Sequence, residues 1–158
     1  MAEDTPYTSI LRSVSKDKFH EILSASARKS RETYFARHSI KAPKGGAGFT
    51  KPGAKNEARA HALQAVLAEV DDHELAEEIL RVYLLNRREM LAAALDHLGI
   101  EHEGGLTDSE DVTKFETLKG KSLSAMIDAL KPVAPAEDIQ LYLKYMGADA
   151  SEVDKAAG

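Results

Sequence analysis

The stretch from Asp71 to Ile100, DDHELAEEILRVYLLNRREMLAAALDHLGI, is the longest, most apolar and least interrupted run in the chain. Asp71 and Asp72 precede it and Glu74 follows three residues after Asp71. Acidic side chains there can accept from the orphan backbone N–H groups that open a helix, and the negative charge of Glu74, Glu77 and Glu78 suits the positive end of the helix dipole. Leu75, Ile79, Val82 and Tyr83 recur at helical spacing, and Leu80 and Leu84 widen the apolar face. Asn86, Arg87, Arg88 and Glu89 then interrupt the stripe. The spacing predicts a break there, with Asn86 and Glu89 in capping-box register, one helix over 73–85 and a second over 87–98. The second carries Met90, Leu91, Ala94, Leu95 and Leu98 and stops at Gly99, a left-handed terminator. Ala92, Ala93 and Ala94 permit close approach of a neighbour, so the pair reads as the core of a bundle.

Working outward, Thr5-Pro6 predicts a helix start, and Ser15 predicts the cap of a longer helix running from Lys16 to about Arg37. Asn56 predicts the cap of a helix over 57–70 with Ala60, Leu63, Val66, Leu67 and Val70 inward. Beyond Ile100, 101–105 reads as a turn. Residues 106–121 fit either a short helical turn around 109–114 or a brief extended piece at 112–118. Residues 122–130 form a helix ended by Pro132, and Pro135 opens a last helix closed by Gly147. The expected fold is therefore all-α: a compact bundle or orthogonal array of five to seven helices. Its expected parts are a helical segment 1–40, a flexible basic linker 41–55, a main helical domain 56–147 and a frayed tail 148–158.

With 158 residues, 43% of them hydrophobic, the chain is long enough to bury a core without covalent staples. It has no Cys, which excludes disulfides, thiolate zinc sites and a cysteine nucleophile and fits a reducing, cytoplasmic setting. The N-terminus lacks a basic flank followed by an apolar core, so no signal peptide is expected, and no apolar run approaches membrane-spanning length.

The net charge of −5 conceals an asymmetry. Residues 28–59 hold nine basic side chains, Arg28, Lys29, Arg31, Arg37, Lys41, Lys44, Lys51, Lys55 and Arg59, against Glu32 and Glu57 alone. The rest of the chain is acidic. A basic block on an acidic body is the main functional clue. Its nine cations are the candidate contact set for a protein partner, for a second copy of the chain, or for RNA or DNA, with Tyr34, Phe35 and Phe49 available for stacking.

Signatures of chemistry are weaker. Gly48 and Gly53 have phosphate-loop separation, but Ala54 precedes Lys55, Asn56 replaces the magnesium-binding hydroxyl, Pro52 removes a donor and no strand comes before. His73-Glu-Leu-Ala-Glu77 approximates a zinc-helix pattern without a third ligand, and His97, Glu101, His102 and Glu103 cluster without a converging partner. Neither Glu-x-x-His nor Gly-x-Ser-x-Gly occurs. The expectation is a non-enzymatic interaction or assembly protein with no cofactor, acting through its helical faces and the basic segment. The alternative is a nucleic-acid-binding protein using 28–59.

Overall fold

In the computed structural model the described residues are 7–40 and 54–157. The helix start at Thr5-Pro6, the phosphate-loop comparison and most of the linker 41–55 lie outside them. Among the described residues the secondary structure is helical: nine α-helices and one 3₁₀ segment, with a single isolated bridge between Glu103 and Leu106. The all-α class stands, but the helices outnumber the expected five to seven. The described residues form two compact units, 7–83 and 84–157, divided inside the fifth helix.

The first unit contains α1 (Tyr7–Ser13), α2 (Lys16–Ser24), α3 (Arg28–Arg37), α4 (Ala54–Glu69) and most of α5 (His73–Leu85). Helices α1 and α2 pack on α4. Ile10, Leu11, Phe19, Ile22, Leu23, Leu63, Leu67, Ile79 and Leu80 are buried in its core. Burying each such side chain contributes about 1.5–3 kcal/mol against the entropy of ordering the chain.

Ser15 caps α2 as its sequence predicts, its hydroxyl accepting from the Lys18 N–H at 3.1 Å. The long helix expected over 16–37 is instead two. Phe19, Ile22 and Leu23 anchor α2, but the next positions on that face are Ser26, the small Ala27 and Ser30, so no large apolar side chain carries the stripe forward before Tyr34. The N–H groups of Ala25 and Ser26 turn back to the carbonyls of Ile22 and Leu23, Ala27 is extended (ψ 150°), and α3 starts afresh.

Helix α4 begins at Ala54, earlier than expected, and ends at Glu69. Val70 therefore lies past the helix end and is 47% exposed, contrary to its expected inward place. The buried polar residue on α4 is Gln64. Its amide donates to the carbonyls of Leu11 and Val14, both at 3.0 Å, satisfying two groups that the end of α1 leaves without a helical partner.

The break in the central stretch occurs where the sequence places it. Helix α5 stops at Leu85 and α6 (Arg88–Leu98) restarts, but it is Arg87, not Asn86, that occupies the N-cap. Gly99 closes α6 with φ 70°.

The second unit holds α6, the 3₁₀ segment Glu110–Thr117, α7 (Gly120–Leu130), α8 (Ala136–Tyr145) and α9 (Ala150–Ala157). Helix α6 packs on α7, and α9 packs on both α7 and α8. The turn after α6 needs Gly105: at φ 90°, a Cβ there would lie 2.8 Å from the Leu91 Cβ and 2.9 Å from the Arg88 carbonyl. The ambiguous stretch resolves as helical. Ser109 caps the 3₁₀ segment, and Phe115 is fully buried, edge-on to Tyr142 at 5.6 Å. Burial raises the Tyr142 phenol above the ordinary tyrosine range.

The tail, expected to fray, instead forms α9. Asp149 accepts from the Glu152 N–H at 3.0 Å, Val153 is fully buried, and Lys144 meets Asp154 at 2.7 Å. Its Asp-x-x-Glu start is a capping signal at the sequence level. Among the described residues no helix is long and apolar enough to cross a membrane.

Candidate interaction surface

The basic block is centred on α3, whose sequence RKSRETYFAR has no acidic residue in its first turn. Its cap position is Ala27, which makes no side-chain hydrogen bond to the turn. Arg28 and Lys29 are exposed and Arg31 is half-buried. Cations at this end of a helix oppose the dipole, costing about 0.3–1 kcal/mol each at low salt. The folded chain thus places Arg28, Lys29 and Arg31 together on the first turns of α3, where helix electrostatics alone would disfavour them.

Arg37 and Arg59 belong to a different group. Arg37 reaches the Asp72 carboxylate with Nε at 2.8 Å from Oδ2 and Nη2 at 2.8 Å from Oδ1. His38 Nε2 lies 2.7 Å from the same Oδ2, and the Leu75 N–H donates to Oδ1 at 3.3 Å. Asp72 is therefore both the cap of α5 and the anion that receives the end of α3, consistent with the acidic start read from the sequence. Its neighbour Asp71 accepts from the Thr8 hydroxyl at 2.9 Å.

Arg59, on α4, grips Glu32 on α3 through two hydrogen bonds of 2.9 Å each, and its guanidinium lies 4.1 Å from the Phe35 ring centre. The hydrogen bond from Arg59, aided by the charges of Arg59, Arg28 and Arg31, holds the Glu32 carboxyl below its ordinary range. Arg37 and Arg59 are thus engaged within the fold. Lys41, Lys44 and Lys51 lie outside the described residues, and Lys55 falls in the first turn of α4.

The aromatic expectation changes. Tyr34 and Phe35 are buried, at 5% and 3% exposure, so neither presents a ring face for stacking. Burial, with hydrogen bonding to Glu78, raises the Tyr34 phenol. Phe49 lies outside the described residues.

In the two sequence clusters considered for metals, His73, Glu77 and His102 have ordinary partners. The His73 ring stacks near Tyr7 with centroids 4.6 Å apart, and Glu77 pairs with Arg81 at 2.9 Å. His102 Nε2 lies 2.7 Å from Asp96, and its Nδ1 accepts from the Gly105 N–H at 3.1 Å, which puts the proton of the neutral ring on Nε2. His97 is exposed. The residues 101–103 and 106–108 line an open cleft of about 550 Å³.

One group escaped the sequence reading. Asp17 on α2 and Glu57 and His61 on α4 bring a ligand atom each to within 4.8 Å of one another. The Glu57–His61 spacing of four was legible on one helix face, but the approach of Asp17 depends on how α2 packs on α4. Comparison with family models, curated proteins and solved structures finds no match, so the functional reading rests on the chemistry of the chain itself.

Proposed function

We propose that the chain is a non-enzymatic interaction or assembly module that docks an acidic protein surface through α3 and the adjoining basic segment. The observation that carries this reading is the separation of the cations. Arg37 and Arg59 are engaged internally, while Arg28, Lys29 and Arg31 gather on the first turns of α3 with no acidic residue in that turn. An acidic partner would relieve the cost of that placement and set the register of docking.

Nucleic acid is the second reading, and the charge excess of 28–59 favours it. A protein partner is preferred because Tyr34 and Phe35 are buried, which removes two of the three rings that single-stranded bases could stack on.

The test compares wild type with a charge-reversed R28E/K29E variant, by light scattering for self-association and by affinity capture with identification of the bound protein. Loss of a single dominant acidic partner, or of self-association, in the variant supports the proposal. Binding to generic single- or double-stranded nucleic acid that weakens steeply between low and physiological salt, and is lost in K41A/K44A/K51A/K55A, transfers the assignment to nucleic acid.

A further inference from the structure

We propose that Asp17, Glu57 and His61 form a divalent transition-metal site that joins α2 to α4, a property independent of the docking role of α3. The three ligand atoms come from two helices and lie within 4.8 Å of one another. Glu57 and His61 are four residues apart on α4, the spacing that aligns two ligands on one helix face. The His61 Nε2 atom is shielded from solvent and makes no hydrogen bond among the described residues, while Glu57 Oε1 lies 4.0 Å from it. That nitrogen has Glu57 only as a distant ion-pair neighbour and makes no hydrogen bond, and a cation coordinated by its lone pair supplies a direct partner.

The donor set selects the ion. Two carboxylates and a neutral imidazole carry two negative charges, matching a divalent cation. The nitrogen donor favours a first-row transition metal such as zinc over magnesium or calcium, which prefer oxygen throughout. Three protein ligands leave room for water in the fourth position of a tetrahedral site. Zinc bonds of that geometry place donor atoms about 3.3–3.4 Å apart, so binding requires a small inward rotation of side chains. Asp17 and Glu57 are exposed and able to make it.

The alternative is a metal-free cluster in which protonated His61 sits between two carboxylates. Zinc titration of the chelator-treated full chain by calorimetry, with thermal unfolding alongside, separates the two. The proposal expects saturable binding of one equivalent and a melting temperature several degrees higher with zinc, with no comparable rise in magnesium. It expects H61A and D17N each to weaken binding by roughly tenfold or more. Circular dichroism establishes that both variants fold, and a zinc-dependent shift of the His61 ring resonances in the wild type places the ion. Absence of saturable zinc binding overturns the proposal. So does H61A binding zinc as tightly as wild type, which assigns the ion to other histidines, or magnesium stabilising as strongly as zinc.

Discussion

Arg37 and Asp72 form a paired contact, two nitrogens on two oxygens at 2.8 Å each, that joins the end of α3 to the beginning of α5. The carboxylate is 6% exposed and the guanidinium 51%, so most of the desolvation is borne by the acid. Asp72→Ala should therefore cost more than Arg37→Ala. Removing Asp72 takes away the cap of α5 and the anion facing both Arg37 and His38, whereas removing Arg37 leaves the acid with His38 and the Leu75 N–H. Losses of about 2–3 kcal/mol for D72A and about 1 kcal/mol for R37A are expected. Urea unfolding of the two variants checks this, and equal losses would mean that the pair, not the cap, dominates.

Gln64→Leu keeps approximate size but leaves the Leu11 and Val14 carbonyls without their amide donor. A destabilisation of about 1–3 kcal/mol is expected, since buried acceptors lose their partner outright. Hydrogen exchange should quicken first in α1, because its last turn loses its tie to α4. Unchanged protection of α1 would refute this assignment.

Gly105 and Gly99 separate two costs that are often merged. Both have positive φ, 90° and 70°, but a Cβ at Gly105 meets Leu91 and Arg88 whereas a Cβ at Gly99 meets nothing within 4 Å. Gly99→Ala should cost only the left-handed backbone penalty, about 1–2 kcal/mol. Gly105→Ala adds a steric clash and should cost about 3 kcal/mol or more. Comparable midpoints of thermal unfolding in the two variants would contradict the clash at Gly105.

The pH dependence has opposite signs at the two ends of the scale. Burial raises the phenols of Tyr34 and Tyr142 above the ordinary value of 10.0, so above that pH the unfolded chain releases protons that the folded chain keeps. Stability is then fully present below pH 10.0 and falls as pH rises beyond it. Tyr142→Phe should flatten that alkaline slope. Glu32 behaves inversely. Its carboxyl is lowered from 4.5, first by the hydrogen bond from Arg59, so its contribution is present above pH 4.5 and is lost as pH falls through its folded value. An NMR titration of Glu32 should move upward in Arg59→Ala; an unmoved midpoint would show that the pair is not formed in solution.

Legibility in the sequence followed the range of the forces involved. The central break, the Ser15 cap and the Gly99 stop depend on a few neighbouring residues, and the structure has them where the pattern predicts. The division of 16–37 was hidden because Ser26 and Ser30 are tolerable in a helix and Ala27 and Tyr34 continue the spacing of Phe19, Ile22 and Leu23. Helix α9 was missed because its stability comes from Val153 reaching the core and Lys144 reaching Asp154, while its own composition reads as polar. The basic block was legible as charge. Its sorting into internally engaged Arg37 and Arg59, and an α3 end bearing Arg28, Lys29 and Arg31, was not, because the acids concerned stand 27 and 35 positions away.

The grip of Arg59 on Glu32, and the packing of α1 and α2 on α4, join residues on either side of 41–53 through space. Those contacts are expected to hold without the covalent path between them. Residues 1–46 and 47–158, produced as separate polypeptides, should complement one another into a single folded particle. By the same reasoning, doubling the length of the connection should cost the fold only about 0.6 kcal/mol. Such changes are expected to leave the contact of Arg59 with Glu32 in place.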